Sequence, residues 1–176
     1  MSGHNKWSQI KRKKGAEDER RSKVFSLLVK NLTRESKMAG GNKEAPGLRT
    51  AIEKARASNM PAENIERAIA KGIGEGAESY ETVTYEGYGP AGVAIIVKGL
   101  TDSPNRTSNE IKHIFSKNGG SFAAQGAAMW AFTKGEAGLI PNMEIVLTDK
   151  DGMKLAGLIE ELEDQSDVEN VYTNAA

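Results

Sequence analysis

The feature that most constrains this fold is a change of hydrophobic period at a glycine-rich break, Gly72-Ile73-Gly74-Glu75-Gly76. Before the break, apolar residues recur at helical spacing. After it, short runs rich in Val, Thr, Ile and Tyr alternate with helical stretches. A single layer cannot satisfy both periods. The sequence therefore predicts an α+β protein with two domains, a helical one over residues 1–76 and an α+β one over 77–176.

The first segment holds three amphipathic patterns. From Ala16 to about Ala39, Val24, Phe25, Leu28, Val29 and Leu32 share one side, and Arg20, Lys23, Lys30, Arg34 and Lys37 share the other. Leu27 falls among the bases. Gly40-Gly41-Asn42 ends this helix. A second follows Pro46, with Leu48, Ala51, Ile52 and Ala55 at i, i+3, i+4 and i+7. A third begins near Pro61, a residue suited to a first helical turn, and buries Ile65, Ala68 and Ile69. Their apolar faces together predict a small three-helix domain.

In the second segment the strand candidates are 81–86, 93–97, 127–132, 143–147 and 168–172. Helices are expected between Thr101 and Asn118 and around Leu155, Leu158, Ile159 and Leu162. From Val93 onward the order is β-α-β-β-α-β, a ferredoxin-like arrangement, with the earliest strand added by a hairpin. Gly87-Tyr88-Gly89-Pro90 is turn chemistry, with Tyr88 a candidate contact residue.

Charge is distributed as unevenly as period. The formal net charge is zero, yet residues 1–74 hold 17 Lys+Arg and 8 Asp+Glu, against 7 and 16 in residues 75–176. Such asymmetry points to a polyanion-facing part and an acidic remainder. A helix that buries one side and lines the other with bases presents cations about 5 Å apart per turn, a spacing suited to successive phosphates. Lys6, Lys11, Arg12, Lys13 and Lys14 extend the row into a basic arm, where Trp7 is placed to stack on an unpaired base. A weaker stripe, Arg106 and Lys117 with Asn109 and His113, lies on the later helix. The structural alternative for all of these is a solvated helix face, with Trp7 in a core and with Asp102 and Ser103 as ordinary caps.

Other functions find little support. The chain has no cysteine, which excludes disulfides, Cys-based zinc sites and thiol nucleophiles. The two histidines, His4 and His113, have no carboxylate at metal-ligand spacing. The Gly72-x-Gly74-x-Gly76 run follows a helix, not the strand a dinucleotide fold needs. The acidic cluster Glu160, Glu161, Glu163 and Asp164 pairs with no nucleophile. No apolar run approaches the roughly 20 residues of a membrane span, and the polar, basic N-terminus lacks the apolar h-region expected of a signal peptide. These readings predict a non-enzymatic cytoplasmic protein with no cofactor, no metal, no membrane and no small-molecule substrate. Its expected partner is nucleic acid, DNA or structured RNA. The competing reading is a protein-interaction adaptor that docks through the acidic α+β domain.

Several stretches, in order, resemble the YebC/PmpR family. They are the opening Met-Ser-Gly-His-Asn-Lys-Trp-Ser-Gln-Ile-Lys, Asn59-Met60-Pro61, residues 67–72 (RAIAKG), 85–90 (YEGYGP), Asn105-Arg106-Thr107 and 115–120 (FSKNGG). Leu162-Glu163-Asp164 and Val171-Tyr172 close the series. The resemblance implies a cytosolic regulator of transcription that binds DNA, or a ribosome-associated translation factor. Mitochondrial relatives activate translation of a cytochrome oxidase subunit, and bacterial members are linked to relief of ribosome stalling at proline-rich stretches. It implies a helical first domain, α+β domains after it, and no catalytic residues. Family members usually carry a further α+β domain after a Phe-x-Lys-x-Gly strand. Here Phe132-Thr133-Lys134-Gly135 runs almost directly into Leu139-Ile140-Pro141, so that domain is expected to be absent.

Overall fold

A computed structural model of the chain describes residues 16–176. They form two compact units, residues up to Thr82 with Leu100–Ser103, and Val83–Gly99 with Pro104–Ala176.

The first unit is helical: α1 (Ala16–Ala39), α2 (Pro46–Ala57) and α3 (Ala62–Ile73). Glu17, Asp18 and Glu19 open α1, and Lys37 lies in its last turn, matching the helix dipole at both ends. Gly40 and Gly41 leave the helix at positive φ, and the Gly41 amide bonds the Ser36 carbonyl at 2.9 Å. Between α2 and α3, Asn59 turns the chain at φ 59° while the Met60 amide returns to the Ala55 carbonyl at 3.0 Å. Pro61 caps α3 rather than sitting within it. The core gathers Leu32, Leu48, Ile52, Met60, Ile65 and Ile69, with Phe25, Leu28 and Val29 partly buried. Val24, expected on the apolar side, is 46% exposed.

Two buried hydroxyls that the apolar pattern did not mark bring α1 and α3 together. Thr33 Oγ1 donates to the Ala68 carbonyl at 3.3 Å and Ser36 Oγ to the Ile69 carbonyl at 2.7 Å. Gly72 lies inside α3 at this crossing. A Cβ there would stand 2.5 Å from the Thr33 carbonyl oxygen and 2.8 Å from Ser36 Cβ. The third helix therefore continues through Gly72, and Gly74 is its cap.

The second unit contains β1 (Glu81–Tyr88), β2 (Ala94–Thr101), α4 (Pro104–Lys117), β3 (Ser121–Ala123), β4 (Phe132–Gly135), β5 (Gly138–Pro141), α5 (Asp149–Asp164) and β6 (Val168–Thr173), with the ends of β1 and β2 assigned to the first. The sheet order is β3-β1-β2-β6. The β3–β1 and β2–β6 pairs are antiparallel. The five residues linking β1 to β2 are too few for a parallel crossover, so that pair is antiparallel as well. Val93, Ile95 and Val97 face Ile111, Phe115, Leu155, Leu158 and Leu162 of the two helices. Ala94, Ile96 and Tyr172 face Ala128, Ala131 and Phe132 on the other side. Cover on both faces explains why β2 is apolar almost throughout.

The α+β class is as expected, a helical first part followed by an antiparallel sheet. The strand order carries a difference. β1 lies inside the sheet between β2 and β3, where a ferredoxin-like run would place its own later strand. A short tether to β2 and the register Glu86↔Ala123, Gly87↔Phe122 and Tyr88↔Ser121 with β3 hold it there. Residues 127–131 form a loop with a short 3-10 turn, and of 143–147 only Ile145 bridges a strand-like neighbour, Ala175. β4 and β5 leave the sheet as their own hairpin, with Gly135 paired to Gly138 and only Glu136 and Ala137 between. Among the described residues no further domain stands at this point.

Candidate nucleic-acid interface

Lys6, Trp7, Lys11, Arg12, Lys13 and Lys14 lie outside the described residues. The row on α1 divides into two parts. Arg20 is exposed at its start, and Lys23 is half-buried. Further along, the bases reach across the surface to the residues after α3. Lys37 Nζ donates to the Ala77 carbonyl at 3.1 Å and to the Ser79 hydroxyl. Lys71 pairs with Glu78 at 2.7 Å. Hydrogen bonds from Lys71 and then Tyr80 hold the Glu78 carboxyl below its ordinary value, with Lys30 adding a smaller attraction. Arg34, only 25% exposed, is ion-paired to Glu35. Arg34 thus has its charge countered by Glu35, while Lys37 keeps an unneutralised charge on two neutral acceptors of the helical unit.

The structure presents other bases. Arg49, Lys54 and Arg56 of α2 are exposed and make no ion pair among the described residues. Arg49 and Arg56 are two turns apart on one flank, opposite Ala51. Their i, i+7 spacing beside the buried Leu48, Ala51, Ile52 and Ala55 was the available sequence signal. Lys54 borders an open cavity of about 390 Å³ between α1 and α2, lined also by Asn31, Glu35 and Thr50. The Glu35 carboxylate reaches the first turn of α2, so close to Gly47 that a Cβ there would meet Oε2 at 2.1 Å. That carboxylate makes the cavity a poor phosphate seat. Helix α3 follows α2 after a four-residue turn, but it leads with Glu63 and Glu66. These pair with Arg67 and Lys43, each at 2.7 Å, so α3 does not offer the basic leading edge of a groove-reading helix.

On α4 the expected stripe is also drawn inward. Arg106 Nη2 lies 3.0 Å from Asp167 Oδ2, and Thr107 Oγ1 donates to the same oxygen at 2.7 Å. Asp167 is 1% exposed, so these bonds stabilise a buried carboxylate. Lys117 pairs with Glu161 at 3.0 Å, which holds that carboxyl below its usual value. Arg106 thus clamps the α5–β6 turn to α4. Arg106→Ala should lower stability in denaturant titration by about 1–2 kcal/mol and leave nucleic-acid affinity unchanged. A loss of affinity at unaltered stability would return Arg106 to the interface. Tyr88 is half-buried, with its hydroxyl donating to the Ala127 carbonyl, so it is no free contact residue. Among the described residues no three His, Asp or Glu side chains gather as a metal site, and no described helix is long and apolar enough to cross a membrane.

Fold and site define a two-part α+β protein, in which a three-helix unit carries exposed bases and an acidic unit carries the sheet. Residues 5–75 match the TACO1/YebC protein N-terminal domain, and residues 80–137 match the TACO1/YebC second and third domain. The chain belongs to the TACO1/YebC family. A relative from Desulfatibacillum aliphaticivorans is 49% identical over 98% of this chain and 69% of its own length. One from Syntrophus aciditrophicus is 55% identical over 76% of this chain. Both bear the name probable transcriptional regulatory protein. The match spans only about half of the Syntrophus relative, 55% of its length. The crystal structure of a conserved hypothetical protein from Aquifex aeolicus superposes with a TM-score of 0.81 at 32% identity, covering 98% of this chain and 97% of that one.

Proposed function

We propose that this chain is a non-enzymatic, cytoplasmic regulator of gene expression that binds nucleic acid, DNA or ribosomal RNA, through its helical part and basic arm. The carrying observation is where uncommitted charge lies. Residues 1–16 contain five Lys+Arg and no Asp or Glu. On the described helices, Arg20, Arg49, Lys54 and Arg56 are exposed and make no ion pair, while the bases of α3 and α4 that do pair are neutralised locally. Phosphate contacts need cations that are not already paired. The names of the relatives support a regulatory role. On this reading the working division is a basic part over residues 1–76 and an acidic α+β part over 77–176.

Replacing Lys11, Arg12, Lys13 and Lys14 together with Ala should weaken binding at unchanged melting temperature. The log–log salt slope should flatten by about 0.7–0.9 for each phosphate no longer neutralised. Arg49→Ala with Arg56→Ala should flatten it further. An unaltered slope in both variants would reject the interface. Crosslinking in cells, followed by sequencing of the bound nucleic acid, separates a transcriptional target from a ribosomal one.

A further inference from the structure

One exposed aromatic has no part in the basic interface. Trp130 is 60% exposed, in the loop that leads into β4. Its polar edge is satisfied internally: Nε1 donates to the Ala127 carbonyl at 2.9 Å and to the Tyr88 hydroxyl at 3.1 Å. The loop beneath it is fastened by Glu86, 2% exposed, whose carboxylate accepts the amides of Gly126, Ala128 and Met129 at 2.7, 2.7 and 2.8 Å. The indole is thus held in one orientation with much of its surface in solvent.

The β4–β5 hairpin and the residues just after it bring two more exposed apolar residues to the same end of the unit, since the Asn142 amide bonds the Ala131 carbonyl at 2.8 Å. Phe132 and Leu139 face the sheet, so Thr133 and its partner Ile140 face outward. Asn142 joins the outward face to the loop, since its Nδ2 donates to the Trp130 carbonyl at 3.0 Å and its side chain also bonds Thr133. Ile140 is 57% exposed and Met143, next to Asn142, is 53% exposed. Trp is among the residues most enriched at protein-binding hot spots.

Charge selects the occupant. The described α+β residues, 83–99 and 104–176, hold seven Lys+Arg and twelve Asp+Glu. Exposed Glu136 and Glu144 flank β5, with Lys134 the one base of the hairpin. The net negative charge of the unit disfavours a phosphate backbone. A guanidinium or ammonium would be attracted both by the carboxylates and by the indole face. We propose that the Trp130–Ile140–Met143 surface docks a basic protein segment, which lays Arg or Lys on the indole and an apolar side chain beside Ile140 and Met143.

The test uses the full chain carrying Trp7→Phe, which leaves Trp130 as the one indole. The probe is a short synthetic peptide repeating Arg-Leu-Ala, compared with its Arg-to-Glu and Leu-to-Ala analogues and with an oligo-dT strand. Indole emission should shift and saturate with the Arg-Leu-Ala peptide, and weaken about tenfold or more with either analogue or with Ile140→Lys. Glu160→Lys, on α5 outside the patch, should leave affinity unchanged. The proposal fails if Glu160→Lys weakens binding as much as Ile140→Lys, which would mean diffuse attraction to an acidic unit. It also fails if the shift follows oligo-dT instead of the peptide, or appears with rising protein concentration alone as a second copy covers the patch.

Discussion

Gly72→Val is expected to melt the three-helix unit while leaving the sheet unit folded. A Cβ at Gly72 meets a backbone oxygen, that of Thr33, at 2.5 Å, and Ser36 Cβ at 2.8 Å. A side-chain tip can rotate away, but a carbonyl in the middle of α1 cannot move without moving the helix. Replacing glycine inside a helix ordinarily gains up to about 1 kcal/mol of helix propensity. Overpacking a close crossing costs about 1–3 kcal/mol or more, and here it also strains the buried Ser36–Ile69 hydrogen bond. For Val the clash should prevail by about 3 kcal/mol, a large part of the stability of a small helical unit. Far-UV circular dichroism on heating would show an early partial transition. Gly72→Ala makes the sharper comparison. If it raises the melting temperature, propensity has won and the helices are not as close as described.

Glu86→Ala should be among the most damaging single changes in the sheet unit. It removes one acceptor group and leaves three amides, those of Gly126, Ala128 and Met129, without their partner. Each buried, unsatisfied donor costs about 1–3 kcal/mol, and partial access of water near Gly126 and Met129 reduces the total to about 3–5 kcal/mol. Glu86→Gln keeps the shape but turns an N–H donor toward amides, so it should recover only part of the loss. Urea titration measures the cost. Trp130 emission reports whether the loop has loosened. Stability unchanged within about 0.5 kcal/mol would show that water replaces the carboxylate without penalty.

What could be read in advance follows from how local each cause is. Helix α2 was legible because Leu48, Ala51, Ile52 and Ala55 repeat at one helical spacing and are all buried. The α1–α3 crossing was not, because it is built from Thr33, Ser36 and Gly72, residues that a search for apolar periodicity passes over. The basic row on α1 was legible as a row. The contacts of Arg34 with Glu35 and of Lys37 with Ser79 were not fully legible, since Ser79 lies 42 residues beyond Lys37. The same holds on α4, where Asp167 comes 61 residues after Arg106. Strand β1 was identifiable from its Thr, Val and Tyr content, but its interior place depends on pairing with β3 across an intervening helix. Trp130 gave no periodic signal. Its significance rests on Glu86 and Tyr88, which hold it from a strand more than forty residues away.

The β4–β5 turn has a consequence for how such chains diverge in size. Gly135 and Gly138 are paired, so the backbone enters and leaves the turn at points only about 5 Å apart. Folded domains commonly have their own ends close together, and the entropy of closing a loop grows only with the logarithm of its length. The turn is therefore a socket: added length between Glu136 and Ala137 would leave the pairs Phe132↔Pro141 and Thr133↔Ile140 in register at little entropic cost.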